Sequence, residues 1–254
     1  MSDEVRYDVA DGAAWITINR PEARNALSEA VRTGLRVAFE RAEGDESVAA
    51  LVLTGAGDKA FCAGGDLKEM SANRLTVPPP DYVPQPNRTV AVRKPVIAAV
   101  NGIAYGGGFL LAQSADLVVA AEHARFGITE AKLGRGAPWA APLPWLIPPR
   151  VAMEMLVTAE PVTAARAYEV GLVNHVVPAD ELRERTAQLV ATIVRNAPLS
   201  VRAGKEMVYQ SAELGRSAAF EHAERLWEHV YLSADAQEGP RAFQEKRRPV
   251  WHGK

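Results

Sequence analysis

Short apolar runs alternate with amphipathic stretches along most of this chain, and helical spacing takes over after Asp180. Residues 5–9 and 14–19 flank Asp11-Gly12, and an Asp-Gly pair between apolar runs predicts a β-hairpin. Ser28 stands where a helix would be N-capped. Val31, Leu35, Ala38 and Phe39 then share one face of a helix running to about Ala42. Residues 49–54 (AALVLT) read as a buried strand ended by Gly55 and Gly57, and residues 66–71 open the next helix. Val96–Val100 predicts a strand, residues 107–114 a short helix, and Leu117–Ala121 another strand. Thr163 is placed to cap a helix that Gly171 closes, with a strand over 173–177 after it. Pro198 and Gly215 mark breaks within the helical remainder.

Strands alternating with helices make this an α/β chain with a helical C-terminal appendage. A strand–glycine–helix unit recurs loosely near residues 51–70 and 96–114, a hint of stacked repeats. Residues 77–87 (VPPPDYVPQPN) carry five prolines, which resist helix and sheet and predict an exposed or mobile loop.

At 254 residues and 48% hydrophobic content, the chain suits one large domain, or one domain with an appendage. With 29 basic and 31 acidic residues the net charge is −2, which gives no basis for a nucleic-acid or anionic-membrane partner. The single cysteine, Cys62, excludes an internal disulfide and a cysteine-rich metal site. The polar, acidic start MSDEVRYDVADG shows no signal peptide, and the apolar run over 109–121 is too short and too polar to span a bilayer. A soluble, cytoplasmic protein is expected.

The chemistry concentrates in two glycine clusters. In residues 60–66 (AFCAGGD) and 94–116 (KPVIAAVNGIAYGGGFLLAQSAD) an apolar run ends in glycines, where the useful groups are backbone N–H donors. Two such donors aimed at one point form an oxyanion hole. Each loop alone also reads as a tight turn or as close packing of a helix on a sheet. Neither matches the G-x-G-x-x-G dinucleotide pattern, and no Walker A, G-x-S-x-G or H-E-x-x-H motif is present. The five histidines are scattered, and His222 and His229, a heptad apart, read as surface residues rather than ligands.

Residues 19–27 (NRPEARNAL), 60–70 (AFCAGGDLKEM), 94–108 (KPVIAAVNGIAYGGG), 115–121 (ADLVVAA), 126–134 (FGITEAKLG) and 238–251 (EGPRAFQEKRRPVW) resemble the enoyl-CoA hydratase/isomerase, or crotonase, superfamily. The last of these is particularly similar to carnitinyl-CoA dehydratases. The resemblance implies a ββα spiral core over residues 1–195 and a helical trimerisation region over 196–254, built into trimers or pairs of trimers. It implies a coenzyme A thioester as substrate and no permanently bound cofactor or metal. The shared chemistry is stabilisation of a thioester enolate by two backbone N–H groups, which by motif position belong to Gly65 and Gly107.

Hydratases of this superfamily use two glutamates. One position is occupied here by Leu110, in GGGFLL; the other holds Glu130, in ITEAK. A leucine can neither hold nor deprotonate water. The resemblance therefore implies Glu130 as the single acid/base, with double-bond isomerisation or atypical hydration favoured over fast two-glutamate hydration. A non-catalytic acyl-CoA binding protein is the alternative. Residues 135–145 (RGAPWAAPLPW) depart from the usual glycine-rich continuation. Arg135 and Trp139, with Leu110, are assigned to the acyl pocket, against the reading that the tryptophans pack the core and Arg135 is superficial. Coenzyme A contacts implied by position are Arg24 and Lys59 near its phosphates, Ala63, Asp66 and Leu67 around its adenine, and Phe243 and Lys246 from the C-terminal region.

Overall fold

The computed structural model describes residues 3–254. β1 (Val5–Ala10) and β2 (Ala13–Ile18) form the expected hairpin, with Asp11 and Gly12 both at positive φ, 51° and 78°, as the tight turn requires. Ser28 Oγ accepts from the Val31 N–H at 3.2 Å and starts α1 (Glu29–Gly44), whose Val31, Leu35, Ala38 and Phe39 face is buried. At the other end of α1 the buried Lys94 ammonium donates to the carbonyls of Ala42 and Asp45 at 2.7 and 2.6 Å. A cation thus satisfies carbonyls at the negative end of the helix.

From there one unit repeats. β3 (Ala50–Gly55) leads to β4 (Ala60–Cys62) and α2 (Leu67–Ala72). β5 (Val96–Val100) leads to β6 (Ile103–Tyr105) and α3 (Gly107–Gln113). β7 (Leu117–Ala121) leads to β8 (Arg125–Gly127) and a 3-10 turn, Glu130–Leu133, where the next helix would begin. Then follow α4 (Leu143–Leu146), α5 (Pro149–Thr158), β9 (Val162–Thr163), α6 (Ala164–Glu169), β10 (His175–Val177) and α7 (Leu182–Val194). α8 (Pro198–Glu213), α9 (Arg216–Tyr231) and α10 (Ala234–Gln244) complete the chain. Pro198 is the first residue of α8 and Gly215 the N-cap of α9, the two predicted breaks.

The first strand of each unit enters a six-stranded sheet ordered β1-β2-β3-β5-β7-β10, and the second enters a four-stranded sheet ordered β4-β6-β8-β9. The result is the ββα spiral. Successive residues of a strand face opposite ways. Leu51, Leu53, Val96, Ala98 and Val118 face the larger core with Phe39, Phe61 and Phe109; Val52, Ile97, Ala99 and Val119 face a second core closed by Leu182 and Val190 of α7. Both faces are covered, which is why these strands read as unbroken apolar runs.

The helical end is seated by polar bonds. Lys205 of α8 donates to the Val92 and Lys94 carbonyls at 2.9 and 2.8 Å and pairs with Asp116 Oδ2 at 2.8 Å, while the Tyr209 hydroxyl donates to Asp116 Oδ1 at 2.7 Å. The tail folds back onto α10, where Asp235 accepts from the His252 and Gly253 N–H groups at 2.7 and 2.9 Å.

Two expectations are refined. The proline-rich segment is exposed over 77–81, as expected, but its second half is docked: residues 83–86 are buried, Arg36 pairs with Asp81 at 3.2 Å, and the Arg32 guanidinium lies 4.0 Å over the Tyr82 ring. Proline keeps it out of helix and sheet, yet Val83, Pro84 and Pro86 are apolar surface that is buried here. The strand expected over 173–177 is regular only from His175: Val173 turns into the larger core, and Asn174 meets Val118 with its N–H donating to the carbonyl at 2.9 Å and its side chain accepting the N–H at 2.7 Å.

Candidate active site

β4, β6 and β8 lie side by side and run parallel, so their carboxyl ends emerge along one edge. Such edges are where open α/β sheets receive ligands. The segments leaving this edge are residues 63–65, Gly106-Gly107 and, through Ile128-Thr129, Glu130. Three groups that are far apart in sequence are delivered together by strand order alone.

The two glycine loops meet. Gly64 takes φ 101°, and a Cβ there would stand 2.9 Å from the Tyr105 carbonyl oxygen and 3.5 Å from the Gly107 nitrogen. Gly107 is the first residue of α3, so its N–H has no intrahelical partner, and no side chain caps it. The Gly65 N–H makes no hydrogen bond among the described residues. Leu27 joins this corner, its N–H donating to the Gly64 carbonyl at 2.8 Å, and Val83 of the docked segment would stand 3.7 Å from a Cβ on Gly107.

Glu130 completes the cluster. Gly106 has φ 52° and ψ −121°, and a Cβ on it would lie 3.2 Å from Glu130 Oε1. Trp139 Nε1 donates to Oε1 at 3.2 Å, while Oε2 is buried with no partner among the described residues. Burial pushes the carboxyl above its ordinary 4.5; hydrogen bonds from the backbone and Trp139 offset part of that. Cys62, beneath the first loop, is inert: burial pushes its thiol up to about 12.

The pocket residues divide. Leu110 is buried in the larger core one turn into α3 and brings no carboxylate. Trp139 stands half-buried, edge-on to Phe109 at 5.9 Å and 90°. Trp145 is 68% exposed and packs no core. Arg135 donates to the Leu75 and Thr76 carbonyls at 2.8 and 3.1 Å, fastening the start of the docked segment. The sequence reading passed over Gln113, whose Nε2 donates to the Trp139 carbonyl at 3.1 Å and whose Oε1 is buried without a partner among the described residues. Its signal was position: four residues from Phe109 on a helix puts both on one face.

Arg24, Ala63, Asp66 and Leu67 lie at or against the first glycine loop, whereas Lys59 precedes β4 and sits at the opposite end of that strand. The Ala63 N–H donates to the Arg24 carbonyl at 3.0 Å, and Lys59 borders a cleft of about 180 Å³ with Pro21 and Asn25. Asp66 caps α2, accepting from the Lys68 and Glu69 N–H groups at 3.1 and 3.3 Å, and pairs with Arg20 at 3.1 Å. Burial works to raise its carboxyl, but the Glu69 N–H and Arg20 outweigh that and hold it below the usual carboxylate range. Leu67 is exposed. Phe243, 87% exposed at the end of α10, and Lys246, at φ 53°, are not among the groups that meet around Gly107. Among the described residues no cluster of three or more His, Cys, Asp or Glu suits a metal ion, and no helix is long and apolar enough to cross a membrane.

A sequence profile described as enoyl-CoA hydratase/isomerase matches residues 8–254. Carnitinyl-CoA dehydratase of Salmonella typhi is 39% identical over 253 residues, covering 94% of each chain. A crystal structure of a probable enoyl-CoA hydratase/isomerase from Mycobacterium abscessus superposes with a TM-score of 0.89 at 40% identity, over 100% of both chains. That of enoyl-CoA hydratase from Mycobacterium tuberculosis H37Rv gives 0.91 at 37% identity, again over 100% of both. With sequence and fold agreeing along nearly its whole length, this chain belongs to the enoyl-CoA hydratase/isomerase (crotonase) family.

Proposed function

We propose that this family member acts on its acyl-CoA thioester with one base, moving a double bond or running a related enolate reaction. The observation carrying this reading is Glu130 Oε2, buried and without a partner among the described residues, on a carboxyl that abuts Gly106 at the meeting of the two glycine loops. Oε2 takes a proton from carbon 2 of a 3-enoyl thioester. The C–H electron pair moves into the thioester, and the negative oxygen is held by the Gly65 and Gly107 N–H groups. The same proton returns to carbon 4 as the charge flows back, leaving a 2-enoyl thioester and an ionised Glu130. One oxyanion donor is worth roughly 3–4 kcal/mol, and a placed acid/base roughly 10²–10⁴-fold. Leu110 supplies no second carboxylate for the two-glutamate hydration route.

Leu110, Trp139 and Arg135 shape the acyl side in this reading. Arg24 and Lys59 approach the coenzyme A phosphates, and Ala63, Asp66 and Leu67 surround its adenine. Phe243 and Lys246 would serve the site of a neighbouring subunit in a trimer or a dimer of trimers, with residues 1–195 as core and 196–254 as the oligomerisation region. The exposure of Phe243, Phe220, Tyr231 and Leu232 supports that assignment.

The test is mass spectrometry of 2-enoyl- and 3-enoyl-CoA incubated with the protein in deuterated water. Double-bond migration or deuterium exchange without added water is expected, and loss of both in Glu130→Gln with coenzyme A ester binding retained. A hydrated product at a comparable rate overturns the single-base reading. Tight binding with no turnover of any substrate moves a non-catalytic acyl-CoA binder, which Leu110 favours, to first place.

A further inference from the structure

Glu130 is held by a residue outside its own turn. Trp139 lies in a 3-10 turn (Pro138–Ala140) and is fixed on three sides. Its ring meets the Phe109 edge at 5.9 Å and 90°, its carbonyl accepts from Gln113 Nε2 at 3.1 Å, and its Nε1 donates to Glu130 Oε1 at 3.2 Å. Phe109 and Gln113 both belong to α3, the helix that begins at Gly107. The element presenting one oxyanion amide therefore also fixes, through Trp139, the orientation of the carboxyl.

We infer that Trp139 is the positioning residue for Glu130, and that its indole N–H holds Oε1 so that Oε2 is the oxygen that accepts and returns the substrate proton. This rests on the single-base reading above. A lone pair of Oε1 engaged by a donor is the poorer proton acceptor, while Oε2 is buried with no competing partner among the described residues. An indole N–H donates only, so it favours the ionised carboxyl that abstracts a proton and still lets the protonated form carry its hydrogen on Oε2. Without it, only the backbone N–H groups of Glu130 and Thr129 would offset burial, and the carboxyl would be held more strongly in its protonated form.

Few charges compete for that control. On the segment of Glu130 itself, Lys132 pairs with Glu160 at 2.7 Å and the Arg135 guanidinium is bonded to Leu75 and Thr76. α5, packed against this turn, carries Arg150 and Glu154, both exposed, and α3 carries no ionisable side chain. Tyr105, half-buried on β6, is the titratable group on the strand leading to Gly106.

The experiment follows the Glu130 carboxyl directly, by infrared titration of its C=O band, assigned by subtraction of Glu130→Gln, in the parent protein and in Trp139→Phe. Phenylalanine keeps an aromatic ring against Phe109 and removes only the donor. The titration is expected to move to higher pH, with the acid limb of kcat/KM moving the same way and kcat/KM near neutrality falling roughly ten-fold. If Trp139→Phe titrates as the parent does, the inference is overturned while the role of Glu130 stands. Failure of the single-base reading would show separately, as Glu130→Gln turning over like the parent.

Discussion

Gly64 and Gly107 face one another across the two loops: a Cβ on Gly64 would stand 3.5 Å from the Gly107 nitrogen and 2.9 Å from the Tyr105 carbonyl oxygen. The space between them is set by the absence of a side chain. With φ at 101°, Gly64 is also in a conformation that L-residues rarely adopt. Gly64→Ala must push the loops apart or twist the Gly65 amide away. Turnover should fall about 10²–10³-fold, as for loss of one oxyanion donor. Unfolding free energy should fall by about 1–3 kcal/mol. Steady-state kinetics alongside thermal melts check this, and a variant as active as the parent would place the oxyanion site elsewhere.

In the single-base reading, Glu130 would give up stability for reactivity. Its folded-state pKa is raised by burial, so it favours folding below the ordinary carboxylate pKa, and that contribution is lost as pH rises through the folded value. Above that value the protein carries a buried charge whose Oε2 has no partner among the described residues. Glu130→Gln should therefore melt higher than the parent at pH 8, by roughly 2–4 °C for each kcal/mol relieved, and show little difference near pH 4. Activity runs the other way: the parent's kcat/KM should rise with pH through a value above 4.5. Calorimetry at the two pH values tests the stability limb. A variant destabilised equally at both would mean that the carboxylate is structural.

Much of this was legible in the sequence, and the gaps have physical causes. The long strands showed because both their faces are buried, as with Leu51 and Val52 on opposite sides of β3. The caps Ser28, Asp66 and Thr163 showed because a side-chain oxygen ahead of a helical run has few other uses. The second sheet did not show. Ala60–Cys62, Ile103–Tyr105 and Arg125–Gly127 are too short for alternation to register, and each exists only because the neighbouring turn of the spiral offers it a partner. That sheet sets the site, so the convergence of Gly65, Gly107 and Glu130 followed from the family motif and not from local pattern. The Trp139–Glu130 bond was equally hidden, since it depends on a single turn at Pro138 bringing the indole back.

Lys205 and Asp116 tie the C-terminal helices to the core. Their side chains are 8% and 14% exposed and 2.8 Å apart, and burial lowers the lysine pKa while Asp116 offsets it. Lys205→Met leaves a largely buried carboxylate with only Tyr209 and the Val96 N–H as donors. Breaking such a pair from one side costs about 3–5 kcal/mol. A melting temperature lower by about 10 °C is expected. Adding Asp116→Asn should recover part of it, because the two sites share one interaction. Simple additivity of the two losses would show that the pair does not hold α8.

Two ideas about Arg135 can be separated. Its guanidinium donates to the Leu75 and Thr76 carbonyls, while Arg32 and Arg36 hold Tyr82 and Asp81 further along, so three arginines fasten residues 75–82, which lead to Val83 near Gly107. If fastening is its role, Arg135→Ala should speed hydrogen exchange and proteolysis within 75–82, and KM should rise for every acyl-CoA alike. Each lost bond to a neutral carbonyl is worth about 1.5–3 kcal/mol with a charged donor, enough for a ten-fold or greater rise in local opening. If Arg135 instead meets a polar acyl end, KM should rise for acyl groups ending in a carboxylate and stay unchanged for saturated ones. The bonds to Leu75 and Thr76 already engage both terminal nitrogens of the guanidinium. Uniform loosening is therefore the expected result, and a selective KM change with unaltered exchange would reassign Arg135 to the substrate.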